Sequence, residues 1–163
     1  MSKDKQALLA GLLDQVRTDV VRLTRMQQDT SDAATHGENR AEHAKDTRAT
    51  EQSYLARGLA ERVEDLRRTE IRLAGLQMRS FGLEDSVALT AVVRIRDEQT
   101  DESQVWWLVP EGGGLEIAWG SETVRTLTPG SPLGRALIGL QVDDEGIYRT
   151  PRGERRFEVL DLL

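Results

Sequence analysis

The first half of the chain carries its apolar side chains at helical spacing. Between residues 5 and 32 they recur every three or four positions, at Leu8, Leu12, Val16, Val20, Leu23 and Met26. Residues 42–78 repeat the pattern, at Leu55, Leu59, Val63, Leu66, Leu73 and Leu76. This spacing predicts two amphipathic helices whose other faces are charged. Because each apolar stripe is narrow, each helix needs one partner helix, and an antiparallel hairpin of the two is the simplest arrangement.

The turn of this hairpin is predicted within the polar segment of residues 29–46, which contains Gly37. We expect the first helix to end near residues 29–34 and the second to begin between Glu38 and Glu42. Tyr54 and Leu55 are expected to pack inside the hairpin.

After Ser80 the apolar residues alternate with polar ones, which is typical of β-strands. Strands are predicted over residues 87–95, 103–110, 115–119 and 123–128, and two more on either side of the turn at residues 151–153. A short helix over residues 131–139 would dock on the sheet through Leu133, Leu137 and Ile138. The fold class is therefore α+β, with a helical hairpin over residues 1–79 and a small, mostly antiparallel β domain of five or six strands over residues 80–163.

Composition narrows the classes of protein. The net charge is −6, and its acidic excess lies in residues 81–163, which hold 15 acidic and 8 basic side chains. That balance does not favour direct binding of nucleic acid phosphates, so any nucleic acid is expected to be held by another molecule. There is no cysteine, and no apolar run approaches the roughly 18 residues that span a membrane. We expect a soluble, cytoplasmic protein without a signal peptide and without membrane contact.

The C-terminal run "SPLGRALIGLQVDDEGIYRTPRGERRFEVLDLL" resembles the C-terminal signature of bacterial Gre-type transcription elongation factors. In that family a Ser-Pro-(Leu/Ile)-(Gly/Ala)-Arg run precedes a Val-Gly-Asp-like turn and two closing strands. This sequence has Val142-Asp143-Asp144 at the turn, which departs at the middle residue. The segment "KDTRATEQSYLARG" of the second helix is similar to a less studied Gre-like branch.

The resemblance implies a fold, a partner and a site. The β domain would be FKBP-like and would dock on RNA polymerase core at the rim of its secondary channel, through Ser131, Pro132, Leu133, Gly134 and Arg135. The coiled coil would enter the channel and bring acidic residues to the active-site Mg²⁺. The family implies no cofactor of the chain's own, only this shared Mg²⁺, and a protein that acts as a monomer and is not an enzyme by itself.

The acidic tip departs from the family in its spacing. The better studied factors have Gly-Asp-x-x-Glu-Asn there, whereas this chain has Glu38 and Glu42, which are four residues apart, with Asp46 as a third candidate. If both are helical, Glu38 and Glu42 share a face. Two carboxylates can help to hold a second Mg²⁺ and orient water, as transcript cleavage requires. The same acids also suit helix ends, where the helix dipole favours negative charge.

Several functions therefore remain open. The factor would stimulate cleavage of backtracked transcripts, or it would regulate initiation or pausing without cleavage. A coiled-coil adapter is a third alternative. A peptidyl-prolyl isomerase is a fourth, but it needs an aromatic-lined pocket, and we expect the few aromatic residues of the β domain to fill its core.

Overall fold

The computed structural model describes residues 2–38, 46–82 and 84–163. The chain separates into two compact units. One is Asp14–Ile71, and the other combines Met1–Leu13 with Arg72–Leu163. No helix in the described ranges is long and apolar enough to cross a membrane. The domain boundary expected at residues 79 and 80 stays a prediction.

The first unit is built from parts of two long helices, α1 (Ser2–Glu38) and α2 (Asp46–Ala74). Arg17, in the first half of α1, donates from Nε to Glu70 Oε1 near the end of α2 at 2.6 Å. Val16 and Val63 are buried. Because an early residue of α1 meets a late residue of α2, the helices run antiparallel, which confirms the predicted hairpin.

The end of α1 differs from the prediction. The helix continues to Glu38 instead of ending near residues 29–34. Small polar residues there lower helix propensity only modestly, and the first glycine beyond Gly11 is Gly37. Thr30 also keeps its hydroxyl within the helix, donating to the Met26 carbonyl at 2.7 Å. The predicted start of α2 falls largely outside the described residues.

The expected packing of Tyr54 and Leu55 is wrong. Tyr54 is 71% exposed and Leu55 is 57% exposed. The period of an α-helix does not match a strict seven-residue repeat, so a straight stripe drifts off the contact line along a long helix. Residues near the middle of the stripe, such as Val63, stay buried, while Leu55 has rotated outward.

Six strands follow along the chain: β1 (Val92–Asp97), β2 (Ser103–Leu108), β3 (Glu116–Trp119), β4 (Glu122–Leu127), β5 (Glu145–Thr150) and β6 (Gly153–Leu162). They form one sheet in the order β3-β4-β2-β1-β6-β5. All neighbours are antiparallel except β2 and β4, which are parallel. A short helix, α3 (Pro132–Leu137), lies between β4 and β5 along the chain. The predicted α+β fold class is confirmed.

The first strand begins later than predicted. Residues 87–91 are not part of β1, which starts at Val92. Thr90 has a φ of 74°, a left-handed conformation that a β-strand cannot contain. The Thr90 N–H donates to the Leu108 carbonyl, and the Thr90 Oγ1 accepts from the Arg79 N–H at 3.1 Å. The alternation at residues 87–91 therefore belongs to a loop that turns at residues 89–90 and hydrogen-bonds to the end of β2.

The sheet buries residues on both faces. One face carries the core cluster under α3, which includes Ile95, Leu127, Leu133, Leu137 and Phe157. Ile138 was expected to dock α3 as well, but it is 45% exposed because the helix ends at Leu137. Neighbouring Trp106 and Trp107 alternate in β2, with Trp106 against this core and Trp107 fully buried.

The start of α1 packs on the sheet within the second unit. A methyl group added at Gly11 would lie 3.1 Å from the Ile117 Cγ2 atom. Lys5, only 5% exposed, donates from Nζ to the Arg79 carbonyl at 2.8 Å and lies 4.7 Å from the centre of the Phe81 ring. Burial lowers the pKa of Lys5 from 10.5 to about 8.

Candidate functional site

The site begins at the turn that leads into α3. Ser131 is extended, with φ −69° and ψ 157°, and its Oγ accepts from the Gly134 N–H at 3.0 Å. The Ser131 hydroxyl also donates to the Thr128 carbonyl at 2.8 Å. Pro132 is the first helical residue. Proline is tolerated there because an N–H at this position would have no acceptor within the helix. Serine and proline thus fix where this short helix starts.

Gly134 allows α3 to approach the end of β4. Any Cβ at this position would overlap the carbonyl oxygen of Thr128. Leu133 and Leu137, on the same helix, are buried in the core. The glycine therefore brings the helix close enough for these leucines to pack.

Arg135 points outward and closes the turn. Its guanidinium donates to the Gly130 carbonyl, and no ion pair of Arg135 is found among the described residues. Pro132, Arg135 and Ile138 are exposed and follow one another at helical spacing. Of the five residues predicted to dock, Pro132 and Arg135 lie on the surface, while Leu133 and Gly134 are buried and Ser131 is half-buried.

An apolar pocket of about 470 Å³ opens beside α3. Its lining includes Trp106, Leu127, Pro132, Leu133, Tyr148 and Pro151. Among the described residues of the lining, Arg149 alone is charged, and its side chain is 88% exposed. The volume and the mainly apolar walls are those of a site that receives an apolar group.

Tyr148 forms one wall of this pocket. Its ring centre lies 5.9 Å from that of Phe157, at a tilt of 59°. Burial raises the pKa of the Tyr148 hydroxyl, and the Asp97 carboxylate raises it further. Tyr148 therefore stays neutral and presents an uncharged wall.

The sequence did not predict this pocket. Trp106 and Tyr148 were expected mainly to fill the core, yet both are only partly buried. The pocket brings the end of β4 and the start of α3 together with the β5–β6 hairpin, which follows later along the chain. Only the Pro-Arg-Gly turn after β5 gave a local signal, and it did not indicate which element lies opposite.

The acidic tip lies at the limit of the described residues. Glu38 is the last residue of α1 and Asp46 is the first of α2, and Glu42 lies outside the described residues. The described part of the chain holds no cluster of three or more acidic or histidine side chains able to bind a metal ion. The roles assigned to Glu38, Glu42 and Asp46 stay predictions.

Comparisons with known proteins find relatives for the C-terminal half of the chain and for most of its length. Residues 83–163 match the family model described as "Transcription elongation factor, GreA/GreB, C-term". The chain is 30% identical to transcription elongation factor GreA of Azorhizobium caulinodans over 137 residues, which cover 81% of this chain and 77% of the relative. It is 36% identical to GreA of Cereibacter sphaeroides over 80 residues, 49% of each chain. The matched residues thus span about half the length of that relative.

Among solved structures, the chain is similar to GreA factor homolog 1 (Gfh1) of Thermus thermophilus. The two are 20% identical, with a TM-score of 0.40 and coverage of 93% of this chain and 94% of the other.

Proposed function

Because this chain belongs to the GreA/GreB family of transcription elongation factors, we propose that it binds RNA polymerase core and regulates transcription at the secondary channel. The unit that contains the sheet, Met1–Leu13 with Arg72–Leu163, is called the sheet unit below. It would dock at the rim, and the hairpin would enter the channel with its tip towards the active site. The protein would act in the cytoplasm, where the polymerase is, and would touch nucleic acid only through the polymerase. It would modulate the active site of the polymerase and perform no catalysis alone.

The observation that carries the docking proposal is the outward face of α3. Pro132, Arg135 and Ile138 are exposed together, and the apolar pocket opens at Pro132. An exposed apolar and basic face beside an apolar pocket suits a partner that offers an apolar side chain next to an acidic one. Ser131 and Gly134 would support this face by fixing the helix, without touching the polymerase.

The tip proposal rests on the resemblance and on the hairpin. Glu38 is the last residue of α1 and Asp46 is the first residue of α2, so both lie at the same end of the antiparallel pair, and Glu42 lies between them in the sequence. Carboxylate oxygens are the ligands that Mg²⁺ prefers, so these acids would act only beside the Mg²⁺ held by the polymerase. Whether they promote transcript cleavage or only regulate depends on the four-residue spacing of Glu38 and Glu42.

Binding is tested by capture of purified core polymerase on the immobilised protein. Arg135→Glu should reduce capture at least about tenfold, because it places a negative charge on the docking face. Arg156→Glu is the matched control, since Arg156 is exposed on β6 and does not line the pocket. Equal capture of both variants and the unmodified protein would contradict docking through α3.

The tip is tested on backtracked polymerase complexes. Glu38→Ala combined with Glu42→Ala should leave capture unchanged and abolish the effect on transcription. If wild type accelerates transcript cleavage and the double variant does not, the factor is cleavage-competent. If wild type alters pausing or initiation without cleavage, it is a regulator. A double variant that behaves as wild type in both assays would contradict the role of the tip.

The pocket also suits a second candidate function, peptidyl-prolyl isomerisation. Trp106 and Tyr148 give it the aromatic walls that a peptidyl-prolyl isomerase needs. An isomerisation assay on a proline-containing peptide separates the two functions, since a docking pocket produces no turnover.

A further inference from the structure

One side of α2 carries a surface that the hairpin does not use. Glu51, Tyr54, Leu55, Gly58 and Arg62 are all exposed. Glu51 and Arg62 are eleven residues apart, which is about three turns at 3.6 residues per turn, so they lie in line along the helix. The other three residues lie between them on the same side. We call these five residues the α2 face.

The α2 face has a projection and a hollow next to each other. Tyr54 and Leu55 project into solvent, 71% and 57% exposed. One turn further along, a Cβ added at Gly58 would meet nothing within 4 Å. Glycine on an exposed helix face costs stability compared with alanine, and it lets another helix approach closely.

The charges at the two ends of the face are opposite and free. Glu51 and Arg62 form no hydrogen bond or ion pair among the described residues, whereas Arg57 on another side of the helix pairs with Glu61 at 3.4 Å. An acidic end and a basic end make the face complementary to itself in the antiparallel direction.

The register of these features is also self-complementary. The midpoint between Leu55 and Gly58 and the midpoint between Glu51 and Arg62 are the same point, halfway between residues 56 and 57. A two-fold axis through that point therefore sets Leu55 of one copy against Gly58 of the other and, in the same register, Glu51 against Arg62. We propose that the α2 face binds the α2 face of a second copy of this chain.

Under this two-fold axis, a projection meets a hollow and a negative charge meets a positive charge at the related positions of the α2 face. A surface that serves a different partner has no need to be complementary to itself in both shape and charge at one register. A second copy of this chain is therefore the partner that fits best.

The dimer is weak and reversible. Its contact comprises a few side chains from each helix, which is less than a standard protein interface. The chain is therefore a monomer at low micromolar concentration and dimerises as concentration rises. The inference does not depend on binding to RNA polymerase.

Sedimentation equilibrium of the full chain from about 10 µM to about 1 mM tests the proposal directly. We expect a monomer–dimer equilibrium that weakens with added salt, because the end pairs are exposed. Gly58→Ala should raise the dissociation constant about tenfold, since its methyl fills the hollow for Leu55. The same change raises helix propensity, so a loss of dimer cannot be blamed on unfolding.

Charge reversal tests the register. Glu51→Arg and Arg62→Glu should each raise the dissociation constant about tenfold, because each sets like charges at both ends of the interface. The two changes together restore opposite charges and should restore dimerisation. Arg25→Glu, at an exposed position on α1, is the matched control for Arg62→Glu, because it makes the same change in net charge outside the α2 face, and it should have little effect.

A chain that is monomeric at about 1 mM overturns the proposal. So does a double reversal that dimerises no better than the single reversals, because the register would then be wrong. These outcomes leave polymerase capture untouched and so are distinct from a failure of the proposed function.

Discussion

Gly146 and Phe157 face each other across the β5–β6 ladder, and the phenyl ring occupies the space where a side chain at position 146 would lie. A Cβ on Gly146 would overlap the ring, which is fully buried in the core. Phe157 also forms the tilted contact with Tyr148 behind the apolar pocket.

Gly146→Ala should therefore lower the free energy of unfolding by about 1–3 kcal/mol, the usual range for overpacking a core. Gly130→Ala is the control, because a Cβ at Gly130 meets nothing within 4 Å. Urea denaturation followed by tryptophan fluorescence measures both variants. If Gly146→Ala and Gly130→Ala were equally stable, the Phe157 ring would have to move aside without a cost in free energy.

Ser131→Ala should remove the cap of α3 and cost about 1 kcal/mol of stability. The Gly134 N–H and the Thr128 carbonyl would each lose a hydrogen bond. Ser131→Thr keeps the hydroxyl and should retain most of the stability. If the cap supports the docking face, capture of core polymerase should be highest for wild type, slightly lower for Ser131→Thr and lowest for Ser131→Ala. Loss of capture by Ser131→Thr but not by Ser131→Ala would indicate direct contact instead.

Lys5 should make stability depend on pH in the alkaline range. Burial lowers its pKa in the folded chain from 10.5 to about 8, so between these values the unfolded chain binds more protons than the folded one. Stability therefore rises with pH in that window. The comparison is with Lys5→Met, which removes the titrating group and retains Tyr148.

The difference in free energy of unfolding between wild type and Lys5→Met should shift in favour of wild type as pH rises from about 8 to 10.5. Below that window it should be constant. Urea denaturation at several pH values measures it, and parallel curves for the two proteins would mean that Lys5 keeps an ordinary pKa.

The Arg17–Glu70 ion pair should couple the two helices weakly. Its side chains are 57% and 29% exposed, so a double-mutant cycle of Arg17→Ala and Glu70→Ala should give a coupling of about 0.2–1 kcal/mol. The same cycle on Arg57 and Glu61, which lie on one helix, supplies a reference without contact between helices. A coupling of zero would mean that solvent screens the pair completely.

Local pattern was sufficient for most elements of the fold. Strands β2, β4 and β6 lie within a residue or two of their predicted positions, because alternation and turn residues act over short stretches. The start of β1 was missed because alternation cannot reveal the left-handed backbone of Thr90. The parallel pairing of β2 with β4 is a relation between distant segments, and no short stretch encodes it.

The candidate site also has parts that local sequence predicts and parts that it does not. The cap of Ser131 and the inward leucine Leu133 follow from local rules about helix starts and apolar spacing. The pocket beside them depends on how α3 and the β5–β6 hairpin meet, which is a tertiary relation. The exposure of Leu55 shows the limit of periodicity, since a regular stripe does not tell which of its members touches the partner helix.

The position of β6 has a consequence for synthesis on the ribosome. This strand comes last along the chain, yet it lies between β1 and β5 and pairs with both. Until it has left the exit tunnel, β5 has no neighbouring strand and β1 presents an open edge to other nascent chains. The sheet unit is therefore most prone to aggregate late in translation, when it is almost complete.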